Sequence, residues 1–246
     1  MKPGVPHSRG ARAKASRQPV ILAAMPAELK SCAPLGRRCQ TVLTGVGEAA
    51  ARRAAQSVAT SNQASLLVSW GTAGGLDPGL KPGTLVICTR IVDATSGRCF
   101  DARPKLVERL GEILKPLRAV TGAGLSTEMA ITTRDRKSTL HVAHGCMVVD
   151  MESAAIARAA SDAGLPFIAL RAVVDPAGSN LPVSALAGMD NPDEATRATL
   201  RALARRPWEL PALCRLALWY RRSLHMLSSA ALLMENAPGL FPEVTT

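Results

Sequence analysis

The stretch Val148–Pro176, VVDMESAAIARAASDAGLPFIALRAVVDP, constrains the chain most. The apolar run Met147-Val148-Val149 leads into Asp150 and Glu152, which head an Ala-rich segment closed by Gly164. A second apolar run, Phe167 to Val174, then delivers Asp175 ahead of Pro176. Periodicity and the glycine stop predict strand, helix, strand. Acids at the carboxyl ends of strands lie where open α/β sheets build their pockets. Each acid also has an ordinary structural use: Asp150 suits a helix cap, Glu152 a first helical turn, and Asp175-Pro176 a turn.

The upstream sequence repeats the scheme. Val20–Ala24 predicts a first strand ending in Met25-Pro26-Ala27-Glu28, with Pro26 suited to open a helix. Thr41–Thr44 predicts a second strand, followed by Gly45-Val46-Gly47-Glu48-Ala49-Ala50. That G-x-G-x-x-A pattern matches a dinucleotide fingerprint, which needs an acid about twenty residues further on. No Asp or Glu occurs between Ala49 and Leu76, so NAD binding is rejected and the glycines are read as a tight turn near a ligand. Leu66–Trp70 predicts a third strand, and Gly71-Thr72-Ala73-Gly74-Gly75-Leu76 a loop with amides free to meet an oxygen-rich group. Strands over Thr84–Val92 and Val120–Leu125 and helices over Pro104–Leu114 and Arg134–Ala143 complete the body.

Composition narrows the class. With 246 residues, 47% of them hydrophobic, the chain can bury a sizeable core. Its formal net charge of +11 is concentrated at the ends: Lys2, Arg9, Arg12, Lys14 and Arg17 at one, and seven arginines between Arg197 and Arg222 at the other. Residues 1–19 read as a disordered basic tail, 20–206 as the catalytic domain, and 207–246 as an amphipathic helical extension. The six cysteines show no metal-binding spacing, so no metal is expected and the thiols read as reduced and mostly buried, in a cytoplasmic protein without a signal peptide. A remote alternative, a nucleic-acid-binding protein, is disfavoured by an aromatic content of only 3%.

Val149-Asp150-Met151-Glu152-Ser153, Arg171-Ala-Val-Val-Asp175, the run Gly71–Leu76 and Met25-Pro26-Ala27-Glu28 together resemble the nucleoside phosphorylase and methylthioadenosine/S-adenosylhomocysteine nucleosidase superfamily. The resemblance spans roughly residues 20–182. It implies a three-layer α/β sandwich with a mixed central sheet and extra C-terminal helices, assembled as a homodimer. It implies catalysis by Glu28, as the base that activates water, and by Asp175, as the acid at purine N7. Glu152 is implied to bind the ribose hydroxyls, with Met151 beneath the sugar, Gly71, Thr72 and Gly74 along it, and Ile131 toward the base. No cofactor is implied, phosphate being the alternative nucleophile. Val174 replaces the serine usual in nucleosidases, so Asp175 lacks a hydroxyl partner there; Ser69 and Met25-Pro26-Ala27-Glu28 stand where the phosphorylase branch carries cationic elements, which favours hydrolysis.

The C-terminal segment resembles the hopanoid-associated branch through Leu181-Pro182 and Arg205-Arg-Pro-Trp-Glu-Leu-Pro211. That resemblance implies a lipid-linked nucleoside, adenosylhopane, as substrate. Methylthioadenosine or S-adenosylhomocysteine hydrolysis, and phosphorolysis of a purine nucleoside, stand as alternatives. Arginines alternate with apolar residues from Trp208 to Met234, with Trp208, Trp219 and Tyr220 among them. Such a helix fits an anionic membrane surface at the inner face, or packs its apolar side on the core or a second subunit.

Overall fold

The runs rich in Val, Ile and Leu form strands, and the Ala-rich runs between them form helices, as their propensities dictate. The computed structural model describes residues 17–61, 63–187, 195–237 and 239–240; most of the predicted tail and the last six residues lie outside them. In chain order the elements are β1 (Gln18–Ala23), α1 (Pro26–Ser31), β2 (Gln40–Leu43), α2 (Glu48–Thr60), β3 (Ala64–Gly75), β4 (Leu85–Asp93), β5 (Cys99–Asp101) and α3 (Pro104–Leu114). There follow β6 (Val120–Ser126), α4 (Arg134–His144), β7 (Val148–Asp150), α5 (Ser153–Asp162), β8 (Phe167–Val173), α6 (Val183–Leu186), α7 (Ala195–Arg205) and α8 (Leu210–Glu235).

The sheet is mixed. Its strands run in the order β2-β1-β3-β7-β6-β4-β5, and β8 joins β3 to β4. β3 pairs in parallel with β1 and β8 but antiparallel with β7, and β8 meets β4 antiparallel. These pairings close β3, β7, β6, β4 and β8 into a ring. Helices α2 and α5 cover one face through alanines such as Ala51, Ala55, Ala155 and Ala159, whose small side chains let the two helices approach closely. Helices α1, α3 and α8 cover the other face.

One feature differs from the sequence reading, and for the C-terminal helix its core-packing alternative holds. The predicted glycine loop is strand: β3 runs on through Gly75, first beside β8 and then beside β7. The run Gly71–Gly75 lies within sheet pairing, with Thr72 N turned instead to the Glu28 carboxylate, because a chain of small residues can pass from one partner strand to another where side chains would collide. Helix α8 also does more than extend the domain. Its second half buries Leu227, Ala230, Ala231 and Met234 against the core, and a buried Leu or Met contributes on the order of 1.5–3 kcal/mol. Ser223 Oγ on the same helix donates to the Val173 carbonyl at 2.6 Å, pinning α8 to β8. Among the described residues no helix is long and apolar enough to cross a membrane.

Candidate active site

Four acids from three separate parts of the chain, Glu28, Asp150 with Glu152, and Asp175, line one cavity. The cavity measures about 730 Å³ and is lined by Glu28, Glu152 and Asp175, with Met25, Thr72, Gly74, Ile131 and Met151 among its other walls. Gly71 lies behind it, lining a cleft of about 10 Å³ between Glu28, Glu152 and Arg171. Every residue that the sequence assigned to the site therefore borders one of two adjoining spaces.

Glu28 sits in the first turn of α1, which Pro26 opens. Its carboxylate is 4% exposed and spans two elements. Oε2 accepts from Met25 N at 3.1 Å, and Oε1 accepts from Thr72 N at 2.8 Å and Thr72 Oγ1 at 2.7 Å. The close approach depends on Gly71: a Cβ there would lie 2.9 Å from Glu28 Oε1.

Glu152 closes β7 and points toward the turn before α2. Oε1 accepts from Gly47 N at 2.8 Å, a geometry that Gly47 offers by adopting φ +92°. Burial pushes its carboxyl up to about 7, and neighbouring Asp150 adds to the rise against the pull of Gly47 N–H and Arg171. Asp150 is more than a cap. It accepts from the amides of Glu152 at 3.2 Å and Ser153 at 3.0 Å, but also from Ser126 Oγ at 3.0 Å and Arg171 Nε at 2.7 Å. Burial opposes its charge, yet Arg171 and Ser153 hold its carboxyl below the ordinary range. Arg171, itself 3% exposed, also donates to Ser153 Oγ at 2.7 Å and to Ser69 Oγ. A satisfied ionic network thus lies beneath Glu152 and fixes the turn that presents it.

Asp175 follows β8. Its backbone is tied to β3, since its carbonyl accepts from Gly75 N at 2.8 Å. Its side chain is 6% exposed and pairs with Lys137 of α4, which is fully buried. Lys137 Nζ also donates to the carbonyls of Pro176 at 3.1 Å and Ser179 at 3.0 Å, so all three of its protons have acceptors. Burial raises the Asp175 carboxyl above the usual range, with Lys137 pulling it back.

The sequence reading gave no role to Lys137, Arg171 or Tyr220. Lys137 sits in the charged run Arg134-Asp135-Arg136-Lys137, which reads as a solvated face. The signal that could have found it is its place one turn before buried Leu140, on the inward side of α4. The remaining wall comes from the C-terminal helices: Ala185 of α6, Leu200 of α7, and Leu213, Leu216, Ala217 and Tyr220 of α8. The four α8 residues follow i, i+3, i+4, i+7 and so form one face of its first half.

Chemically, the arrangement offers a buried acid held by a cation, a half-buried carboxylate that titrates near neutrality, and a third carboxylate beside a space the size of one water. Apolar surface dominates the rest, as in small-molecule sites of this volume.

Comparison with known proteins agrees with this architecture. A 5′-methylthioadenosine/S-adenosylhomocysteine nucleosidase of Shewanella is 26% identical over 202 residues, covering 74% of this chain and 84% of the relative. The corresponding protein of Mycobacterium bovis is 27% identical over 153 residues, 46% of this chain, and this chain spans only 60% of that relative's length. Among solved structures, Helicobacter pylori futalosine hydrolase superposes with a TM-score of 0.67 at 15% identity, covering 89% of this chain and 97% of that one. The Helicobacter pylori 5′-methylthioadenosine/S-adenosylhomocysteine nucleosidase, solved with a pyrrolidine-based ligand, gives 0.66 at 16% identity over 88% and 97%. These structural likenesses bear on the fold. The sequence model of the phosphorylase superfamily matches residues 34–206, well over half of the 246-residue chain. The chain is a member of the phosphorylase superfamily.

Proposed function

We propose that this protein hydrolyses the N-glycosidic bond of a 5′-substituted adenosine and releases adenine. The observation that carries the reading is the convergence of Glu28, Glu152 and Asp175 on one largely apolar cavity. Asp175, whose carboxyl burial has raised, donates a proton to purine N7 as the C1′–N9 bond breaks. Glu152, ionised, accepts from the ribose hydroxyls and balances the positive charge that develops on the sugar. Glu28 takes a proton from the water whose oxygen forms the new bond to C1′. Met151, Thr72, Gly74 and Ile131 shape the sugar and base sides.

Phosphate is disfavoured by charge, since Glu28 borders both the larger cavity and the cleft with room for about one water. Among the described residues lining the two spaces the cation is Arg171, already committed to Asp150, Ser69 and Ser153. A phosphate dianion there would meet two carboxylates and no uncommitted positive charge.

The substrate we favour is adenosylhopane, which would place the protein in hopanoid biosynthesis. Leu200, Leu213, Leu216 and Ala217 give the C-terminal wall an apolar lining suited to a lipid substituent. Leu200 is 59% exposed and so borders the mouth; Trp208 and the arginines of α7 and α8 are exposed as well. We read this surface as a peripheral contact with an anionic membrane at its cytoplasmic face, and the active unit as a homodimer. The second reading, a methylthioadenosine/S-adenosylhomocysteine nucleosidase, draws on the name of the Shewanella relative. The deciding experiment measures adenine release from adenosylhopane and from 5′-methylthioadenosine side by side, with and without phosphate. Turnover of the lipid nucleoside in phosphate-free buffer is expected; strict dependence on phosphate overturns hydrolysis, and turnover of methylthioadenosine alone overturns the lipid substrate.

A further inference from the structure

Tyr220 carries a polar group that the fold leaves unused. It is the last of the four cavity-facing residues on the first half of α8. Its hydroxyl oxygen is shielded from solvent and has no hydrogen-bond partner among the described residues. A buried hydroxyl without a partner is costly, and such groups in a cavity wall point to a ligand that completes them. Its surroundings say which role it plays. Burial first, and then the negative field of Glu28, push the phenol pKa up, so the group stays protonated and acts as a donor. No hydrogen bond joins the phenol to Glu28, whose oxygens accept from Met25 and Thr72 and keep a lone pair for a ligand. Tyr220 and Glu28 thus both line the cavity, one bringing a donor and the other a carboxylate acceptor.

We propose that Tyr220 is a substrate-contacting residue that, together with Glu28, grips a hydroxyl group. The hydroxyl oxygen accepts from the phenol while its own proton points to the Glu28 carboxylate. Two hydroxyls fit that chemistry: a ribose hydroxyl of the substrate, or the attacking water. The inference rests on the nucleosidase reading of the site and adds to it that α8, besides walling the cavity, anchors the reacting end of the ligand. The chain would then sense sugar and substituent through one helix face.

The test compares the full-length wild-type protein with Tyr220→Phe, using 5′-methylthioadenosine and its 3′-deoxy analogue as probes. Phenylalanine keeps the ring packing and removes only an unpartnered hydroxyl, so the melting temperature of the free protein is expected to be unchanged or higher. If the ribose hydroxyl is gripped, kcat/KM for methylthioadenosine falls about tenfold or more in the variant, and the 3′-deoxy analogue shows no further loss. If the water is gripped, kcat falls for both probes by a similar factor and KM holds. Equal kinetics of variant and wild type on both probes overturn the proposal, as does a lowered melting temperature, which would reveal a structural partner for the hydroxyl. The wild-type arm separates the two levels: a wild type that cleaves neither probe nor adenosylhopane removes the nucleosidase reading and Tyr220's role with it. An active wild type beside an unaffected variant removes only the role of Tyr220.

Discussion

Lys137 and Asp175 form an ion pair that is closed off from solvent, the lysine being fully buried and the aspartate nearly so. The lysine also binds the carbonyls of Pro176 and Ser179, so it fixes the turn after Asp175 as well as its carboxylate. Removing one partner of such a pair strands a buried charge, which costs roughly 3–5 kcal/mol. Lys137→Met is therefore expected to destabilise the fold by that order. The cost should depend on pH. Asp175 already has a raised folded pKa, so its neutral form is the better buried one, and stability is lost as pH rises through that value. Thermal melts from pH 5 to pH 8 should show the deficit of the variant widening with pH; a constant deficit would count against this account.

Asp175→Asn keeps the size of the side chain and removes the proton that leaves with the purine. Loss of a general acid lowers kcat by about 10²–10⁴-fold. The measurement is adenine release alongside a melting curve. Activity near that of the wild type would end the proposed mechanism.

Glu152 is expected to impose the acidic limb of the pH profile. Its carboxyl titrates at about 7 in the fold, and the ionised form is the one that balances the sugar cation. Activity should therefore rise with pH through that value and fall below it. For stability the sign is opposite: a carboxyl with a raised folded pKa contributes most when protonated, and the contribution is lost as pH rises through about 7. In Glu152→Gln the acidic limb of kcat/KM should vanish and the remaining activity should be low. A limb that persists unchanged in the variant assigns the titration to another group.

Gly71→Ala tests the fit between β3 and α1. The added methyl would lie 2.9 Å from Glu28 Oε1, so the carboxylate must move off the Thr72 amide. A misplacement of about 1 Å at the reacting centre costs about 10²-fold in rate. The loss should appear in kcat while KM changes little, as steady-state kinetics would show.

Leu213→Glu tests the C-terminal wall without disturbing the core half of α8. A carboxylate in an apolar lining rejects an apolar substituent, so KM for adenosylhopane should rise strongly while 5′-methylthioadenosine is cleaved much as before. An equal effect on both substrates would place the substituent elsewhere.

Much of this could be read from the chain. The order of strands and helices followed from apolar periodicity, from Pro26 and Pro104 at helix starts, and from Gly164 at a helix end. The three acids drew notice because each follows a predicted strand. What escaped has physical causes. Gly71–Gly75 carries turn-like composition, yet the run is a strand because its neighbours β7 and β8 supply partners, which no local window reveals. Lys137 drew no notice because its own neighbours are charged; its acceptor lies 38 residues away in sequence. Asp150 looked like a cap because its amide contacts are local, whereas Arg171, its ionic partner, comes from the next strand. The α8 wall was legible as an amphipathic face but not as part of the site, since only tertiary packing decides what such a face covers.

The bond from Ser223 to the carbonyl of Val173, two residues ahead of Asp175, joins the cavity wall to the strand that carries the acid. The C-terminal helix is for that reason not a detachable module. A descendant of this chain that turned to a different 5′ substituent could not swap the helix for another without loosening the acid. It would have to change residue by residue at Leu213, Leu216, Ala217 and Tyr220, keeping Ser223 and the buried half of the helix as inheritance.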